Sequence, residues 1–568
     1  MENTRWVFPE ADDAGIPALG RDLNIPVAAA AILWRRGLRD AASAERFLHP
    51  RLADLHDPFL LRDMDRAADR IHAAIARREA IEIHGDYDVD GVTSTVILKK
   101  TLELAGGDAG WYIPHRLREG YGLQTGAVED AAARGIRLIV SVDNGIRAHA
   151  AIARAGELGI DVIVTDHHLP ETDLPAALAV VNPNRRDCSY PNPNLCGAGV
   201  AFKLAHAVLA RAAWPEAKLY RMLESLLKLV AIATVADLVP MTGENRIIVK
   251  HGLSGLGEVR NAGLRALLDA GGFAPGRLPD ATEVAFRVAP AINASGRMDS
   301  AGQAVRMFLT NDAEEASRIA RELFALNKER QTEERAIANE IFERCAATPV
   351  TDRDAALVFW GEGWHRGVVG IVASRVVERF HRPAIVLGVA DGVAQGSGRS
   401  IEAFHLLEAL ESMGELFTRF GGHAHAAGLT MPVASLESFR ERLRAWAAGR
   451  LTAEEMRPVV TVDAVVELSE IGDPLWQALE RMAPFGMDNP RPVFAARGAE
   501  FAGPPQVWKE NHLRAALRQG GRTLTMKGWG MAERAAELRD VRTVDAAFSI
   551  ERDWLGGWGL TAKAFRIA

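Results

Sequence analysis

Between about residues 80 and 240, short apolar runs alternate with longer stretches in which apolar residues recur at helical spacing. The runs 81–83, 136–142 and 162–164 read as strands, and 92–104, 125–134 and 148–158 read as helices. This rhythm predicts a parallel sheet covered by helices, with ligands beyond the carboxyl ends of the strands. A further helical stretch, 223–235, closes the region. Upstream, 27–48 and 60–75 carry apolar residues at helical spacing, which predicts a helical leader packed on the main domain.

The pattern changes three times downstream. Over 311–345, Ile319, Leu323, Leu326, Ile337 and Ile341 recur at helical spacing within a strongly charged run that has no Gly or Pro, which predicts one long solvated connecting helix. Strand candidates at 355–359 and 384–387 then flank an amphipathic helix, which predicts a second α/β unit. Beyond 455 the strand candidates are short and separated by turn clusters such as 518–522 and 555–558, which predicts a small OB-like β-barrel. The expected fold class is α/β. Its domains are a leader at 1–75, a parallel-sheet domain at 76–310, a connecting helix at 311–346, an α/β domain at 347–452 and a barrel at 453–568.

Composition adjusts this picture in a few places. A chain of 568 residues is too long for one core, and 48% hydrophobic and 25% charged residues are ordinary for soluble protein. The net charge is −7, so the whole chain is not a basic nucleic-acid binder, yet residues 491–568 alone carry a net charge of +5. Trp508, Trp529, Trp554 and Trp558 interleave with those charges, a pattern that serves single-stranded nucleic acid as readily as a barrel core. The three cysteines, Cys188, Cys196 and Cys345, form no CxxC pair, which argues against a thiolate zinc site and fits a reducing compartment. Met1 to Trp6 has no basic or apolar targeting region, no membrane segment is evident, and a cytoplasmic location is expected. No Gly-Lys dipeptide occurs, which excludes a Walker A loop.

The strand ends carry the chemistry. The first run leads into His84, Asp86, Asp88 and Asp90; the second into Asp143-Asn144-Gly145; the third into Asp166-His167-His168. The helical stretch 223–235 leads to Asp237. The first motif has the look of a calcium loop, but the twelfth residue from Asp86 is Ile97 rather than Glu, and a strand precedes it. Taken singly, Asp-Asn-Gly reads as a turn and Asp-His-His as a polar pair. A parallel sheet would bring all of them together, and concentrated carboxylates require cations. Oxygen and imidazole donors without thiolates suit Mn²⁺ or Mg²⁺. Two such ions roughly 3.5–4 Å apart can stabilise both the entering and the leaving oxygen of an in-line displacement.

These motifs resemble the DHH phosphoesterase superfamily, and within it the single-strand-specific 5′→3′ DNA exonucleases. The resemblance spans nearly the whole chain. Supporting signatures are Pro114-His-Arg116, Gly120-Tyr-Gly122, Cys196-Gly-Ala-Gly, Asn293-Ala-Ser-Gly-Arg-Met-Asp-Ser300, Ser397-Gly-Arg399 and the Gly-rich stretch 421–428. The resemblance implies two divalent cations, Mn²⁺ or Mg²⁺, one held by His84, Asp88 and Asp143 and the other by Asp90, Asp143, His167 and Asp237. It makes Asp143, His168 and Asp166 the candidate catalytic residues. Asp143 would bridge the ions, His168 would contact the scissile phosphate, and Asp166 would orient its neighbours. Asp86 is expected to support the ligands rather than join them. Arg116, Arg297, Ser397 and Arg399 would read a 5′-phosphate, which would set polarity and step size. His423 would bind substrate, and Tyr121 would stack on a base. Arg297, flanked by Gly296, is expected in a loop. The resemblance also implies a DHHA1 substrate-binding domain at 347–452 and single-strand binding by the OB-like barrel. It names single-stranded DNA with a 5′ end as substrate, single-strand-binding protein and a helicase as partners, and a role in DNA recombination and repair. A monomer away from the membrane is expected. Two other readings stand beside it: a phosphodiesterase for oligoribonucleotides or cyclic dinucleotides, and a non-catalytic replisome scaffold. The large C-terminal β unit argues against the first, and the complete ligand set against the second.

Overall fold

The structure is a computed structural model. It describes residues 4–8, 14–115, 119–212, 214–298, 301–552 and 557–567, with the side chains of 297 and 298 outside the description. The chain forms two compact units. One comprises 45–328 and 481–491, and the other comprises 1–44, 329–480 and 492–568. The expected leader is therefore divided between them. It is also not wholly helical, because Arg5–Val7 is a strand that pairs in parallel with Val459–Thr461.

The first unit is built on five parallel strands: β1 (Ile81–His84), β2 (Ala109–Tyr112), β3 (Leu138–Val142), β4 (Asp161–Thr165) and β5 (Ala179–Val181), in the order β2-β1-β3-β4-β5. Ile83, Val140, Val142 and Ile163 are buried, as expected for β-branched residues in a sheet covered on both faces. Helices α1 (Val89–Leu104), α2 (Thr125–Ala133), α3 (His149–Glu157), α4 (Gly197–Arg211) and α5 (Glu216–Ala236) belong to this unit. The inner helices α1 and α4 read as apolar nearly all round because both are enclosed in the main core. His84 lies opposite Ser141, and Val142 opposite Thr165, so the strands end side by side. The strand order reverses between β1 and β3, which makes their carboxyl ends the place where such a sheet receives a ligand.

Two features of this unit could not be anticipated. Residues 481–491 return to it from the far end of the chain. There the buried guanidinium of Arg246 donates to the carbonyls of Phe47, Arg481, Met482, Ala483 and Pro484. The stretch around Arg297, expected as a loop, is helical: α6 runs Ala289–Met298 directly after a π-turn at Val284–Val288. Its Gly296 serves close packing rather than a turn, since a Cβ there would sit 2.3 Å from the Tyr87 carbonyl oxygen.

Helix α7 (Ala313–Ala347) is 35 residues long, so it extends about 50 Å. In the second unit, strands β6 (Leu357–Glu362), β7 (Ala384–Ala390), β8 (Val393–Arg399), β9 (Arg419–Gly422) and β10 (Ala426–Pro432) form a mixed sheet in the order β9-β10-β8-β7-β6, with α8 (Val369–Phe380) against β7 and β8. Downstream, β11 (Phe494–Phe501), β12 (His512–Gln519), β13 (Arg522–Gly528), β14 (Thr543–Arg552) and β15 (Trp558–Ile567) follow the order β11-β14-β15-β13-β12. Strand β12 pairs back onto β11, which closes a five-stranded barrel. Among the described residues, no single helix is long and apolar enough to cross a membrane.

Candidate metal centre

Each acidic group at the strand ends is held by backbone that its neighbours make possible. Asp88 caps α1, its Oδ1 accepting from the N–H groups of Asp90 (2.9 Å) and Gly91 (3.1 Å). Asp90 accepts from the first two N–H groups of α4, Gly197 (2.6 Å) and Ala198 (2.7 Å). Gly197 is needed because a Cβ there would lie 2.5 Å from Asp143 Oδ1. Asp143 follows β3 with φ at +61°, a strained conformation for a residue with a side chain. The amide of Asn144 fixes that corner by donating to the carbonyls of His84 (3.1 Å) and Val142 (2.9 Å). Asp237 caps the carboxyl end of α5, where the helix dipole adds to its negative charge.

These elements bring ligand atoms together in three overlapping groups: Asp86 with Asp88 and Asp143; Asp90 with His167 and Asp237; and Asp143 with His167 and His168. The atoms of each group lie within 4.8 Å of one another. His167 Nε2 stands 3.2 Å from Asp143 Oδ1, 3.7 Å from Asp90 and 3.8 Å from Asp237. Burial, reinforced by Asp90, Asp88, Asp86 and Asp237, pushes the Asp143 carboxyl well above the usual carboxylate range. Burial and the same crowding raise Asp88, and raise Asp237 to about 8. Burial holds His167 below its ordinary value despite those acids, which favours the neutral imidazole that ligates metals. Asp143 Oδ1 and His84 Nδ1 are enclosed without a hydrogen-bond partner. Buried, mutually repelling carboxylates with an orphaned oxygen and an orphaned imidazole nitrogen fit divalent cations, and the first two groups share no residue, so the donor set accommodates a pair.

The remaining sequence-derived residues fall into place unevenly. Asp86, expected only to support, stands among the potential ligands, whereas His84 joins none of the three groups. Asp166 is 1% exposed and its carboxylate is fully engaged. Oδ1 accepts from His167 N (2.7 Å), His168 N (3.1 Å) and His168 Nδ1 (2.7 Å), and Oδ2 accepts from Ile146 N (3.0 Å). It therefore holds the backbone of both histidines and the ring of His168. Burial lowers His168, but the Asp166 hydrogen bond and nearby acids outweigh this and raise it to about 8. The Tyr121 hydroxyl donates to the Asp143 carbonyl (3.0 Å) and its ring meets His168 edge-on. A cavity of about 280 Å³ opens beside them, lined by Tyr121, Leu123, Ile146, His149 and His168.

Arg116 and the side chain of Arg297 lie outside the described residues. In the second unit, Ser397 and Arg399 share β8 and face Gly370 near the start of α8, where a Cβ would lie 3.3 Å from Ser397 Oγ and 3.4 Å from an Arg399 guanidinium nitrogen. His423 is exposed in the turn from β9 to β10, and Ala426 at the end of that turn pairs with Arg399. Sequence reasoning missed Glu82 and Arg134. Glu82 is 1% exposed, accepts from His84 Nε2 (2.7 Å), and is clasped by both terminal nitrogens of Arg134. Burial pushes its carboxyl up, yet His84 and Arg134 prevail and hold it at about 2. A lone acid between Ile81 and Ile83, two residues before His84, was the available signal.

Residues 80–234 match the N-terminal domain of the DHH family, 353–449 the DHHA1 domain, and 462–557 the RecJ OB domain. The chain is 38% identical over 565 residues to the single-stranded-DNA-specific exonuclease RecJ of Salmonella typhimurium, covering 95% of each. The chain belongs to the RecJ family. It is 39% identical to the RecJ of Bacillus subtilis over 93% of its own length, and spans 66% of that longer relative. Among solved structures, RecJ from Thermus thermophilus in complex with Mn²⁺ is 31% identical and superposes with a TM-score of 0.84, covering all of this chain and 80% of that one. The Mg²⁺ complex of the Thermus RecJ gives 0.78 at 30% identity, covering all of this chain and 79% of that one. Both ions are the hard cations that the donor set of this RecJ-family member suits.

Proposed function

We propose that this RecJ-family chain is a two-metal exonuclease that degrades single-stranded DNA from the 5′ end to 5′-mononucleotides, in DNA recombination and repair. The observation that carries the reading is the enclosed set of acids and imidazoles around Asp143, where burial and the repulsion of neighbouring acids hold the Asp143 carboxyl well above its usual range. In this reading His84, Asp88 and Asp143 would hold one divalent ion and Asp90, Asp143, His167 and Asp237 the other, with Asp86 grouped beside Asp88 and Asp143. When bound, such ions supply an activated water and charge to offset that of the scissile phosphate. Asp143 would serve both sets, and its strained backbone holds its carboxylate at the corner after β3. Asp166 locks His168 through Nδ1, and Nε2, 3.3 Å from the Tyr121 hydroxyl, would meet a phosphate oxygen. Tyr121 borders the cavity beside His168 and offers a ring to the terminal base.

Ser397, Arg399 and His423, with Arg116 and Arg297, are assigned to substrate phosphate and nucleotide groups. Guanidinium forks suit phosphate oxygens. The basic C-terminal barrel is assigned to single-strand binding, with Trp529, packed against Trp508, its exposed described tryptophan. Trp529 is 50% exposed, whereas Trp558 packs on Trp476. A cytoplasmic monomer that works beside single-strand-binding protein and a helicase completes the reading.

Incubating 5′-labelled and 3′-labelled single strands with Mn²⁺, beside matching duplex and a short diribonucleotide, tests it. Early release of the 5′ label as mononucleotide from single strands alone is the expected result. Cleavage confined to the diribonucleotide would replace this reading with a small-substrate phosphodiesterase, and no cleavage of any substrate would leave a scaffold.

A further inference from the structure

Glu82 is a carboxylate on a central strand of a parallel sheet, flanked by Ile81 and Ile83, with almost no exposure to water. Valine or isoleucine would occupy that position at no electrostatic cost, whereas burying a carboxylate costs several kcal/mol before pairing. Arg134, at the carboxyl end of α2, has a half-exposed side chain and would be well solvated alone, so it does not require Glu82. The group that does require it is His84, two residues along on the same face of β1. A carboxylate can only accept, so the 2.7 Å contact means that His84 Nε2 carries the proton and donates it to Glu82 Oε1. Nδ1 is then the bare lone pair of the ring, and it is the atom left enclosed without a partner. The ring is also braced by Tyr112, 5.1 Å away, while the Asn144 amide holds the His84 carbonyl.

We propose that Glu82 and Arg134 are positioning residues of the metal centre. Arg134 fixes the Glu82 carboxylate with both terminal nitrogens, and Glu82 fixes the tautomer and orientation of His84, so that Nδ1 is presented as a ligand to the ion shared with Asp88 and Asp143. A carboxylate on the far nitrogen of a ligating histidine raises its donor strength and removes the alternative tautomer. Neither residue touches substrate. The inference rests on the reading of His84 as a ligand and extends that site outward to the surface at Arg134.

The test is Mn²⁺ calorimetry on the full, metal-stripped chain without DNA, with thermal melting of each variant as the folding control. Glu82→Ala should weaken Mn²⁺ binding about 10–100-fold, and Arg134→Ala less, by about 3–10-fold. In a His84→Ala background, Glu82→Ala should cause no further loss, because the partner through which it acts is gone. Equal loss in both backgrounds, or a Glu82→Ala affinity equal to wild type, overturns the proposal and leaves a purely structural ion pair. If Glu82→Ala fails to melt cooperatively, Arg134→Ala carries the same cycle at a half-exposed position and decides it by the same criterion. Wild-type protein that cleaves nothing, yet binds Mn²⁺ in a Glu82-dependent way, sinks the exonuclease reading alone. Protein that degrades single strands with an Mn²⁺ affinity indifferent to Glu82 sinks this inference alone.

Discussion

The ammonium of Lys203 and the carboxylates around Asp143 are enclosed in the same unit, yet only the first meets an opposite charge of its own within the chain. Lys203 Nζ donates to Glu244 and to the His56 carbonyl (2.7 Å). Glu244 also accepts from the Tyr190 hydroxyl (2.8 Å) and His56 N (2.9 Å). Burial lowers the ammonium of Lys203, while Glu244 opposes the shift. Around Asp143 there is no such closure. Acid faces acid, the Asp143 and Asp88 carboxyls are pushed upward, and an oxygen and a ring nitrogen lack partners. Buried charge that finds its counter-charge within the chain ties elements together, here α4 to the segment at His56. Buried charge that does not is held for a cation.

Removing the central acid sharpens this contrast most. Asp143→Asn should reduce single-strand degradation by at least about 10³-fold, since a group at the reacting centre is lost. The same change relieves repulsion, so the metal-free variant should melt at a higher temperature than metal-free wild type. A lower melting temperature would show that Asp143 is compensated in a way the contrast denies. Next in size is Gly197→Ala. Its Cβ would press on Asp143 Oδ1 at 2.5 Å and displace the carboxylate, with an expected loss of about 10²-fold in turnover for a shift of about 1 Å. Activity within a factor of two of wild type would mean that the helix start can move aside.

Much of this centre was legible in the chain because a parallel sheet gathers strand ends whatever the intervening helices do. The runs ending at His84, Asp143 and Asp166 therefore predicted their own convergence, and Asp237 followed from the helix before it. What the sequence withheld depends on side-chain direction. Nothing in the spacing of 84–90 says that Asp86 falls among the potential ligands while His84 turns one nitrogen to Glu82. Gly296 read as a loop marker because a glycine that permits a turn and one that permits close packing look alike in sequence, and here the Tyr87 carbonyl decides. The strand at Arg5–Val7 is three residues long, too short to show a period, and its partner lies more than 450 positions away.

The satisfied cluster gives a prediction in stability rather than turnover. Lys203→Met leaves Glu244 buried without its cation and should cost about 3–5 kcal/mol, read as an earlier urea transition of the metal-loaded protein. Mn²⁺ affinity should stay unchanged, because none of the residues around Glu244 belongs to the ligand groups. The double variant Lys203→Met, Glu244→Gln should lose less than the sum of the two single changes, since each single change strands the other partner.

The smallest effect expected is on the pH dependence of metal stabilisation. Burial, with Asp90 and Asp88, raises Asp237 from 3.8 to about 8, and His168 stands at about 8 against an ordinary 6.5 because Asp166 and its neighbours outweigh burial. A folded pKa above the unfolded one means that the folded chain holds its proton more tightly. The associated stability is complete below the unfolded value and is lost as pH rises through about 8. Metal-free protein should therefore melt at progressively lower temperature from pH 5 to pH 8, by about 1–2 °C for each kcal/mol lost in a unit of this size. Bound Mn²⁺ replaces the protons that its ligands must release, so the metal-loaded protein should fall less and the increment due to Mn²⁺ should widen with pH. Asp237→Asn removes one of the raised groups and should flatten the metal-free slope. An increment that is constant across this range would mean that the acids are already ionised without metal, and the distinction between a self-satisfied and a cation-seeking cluster would fail.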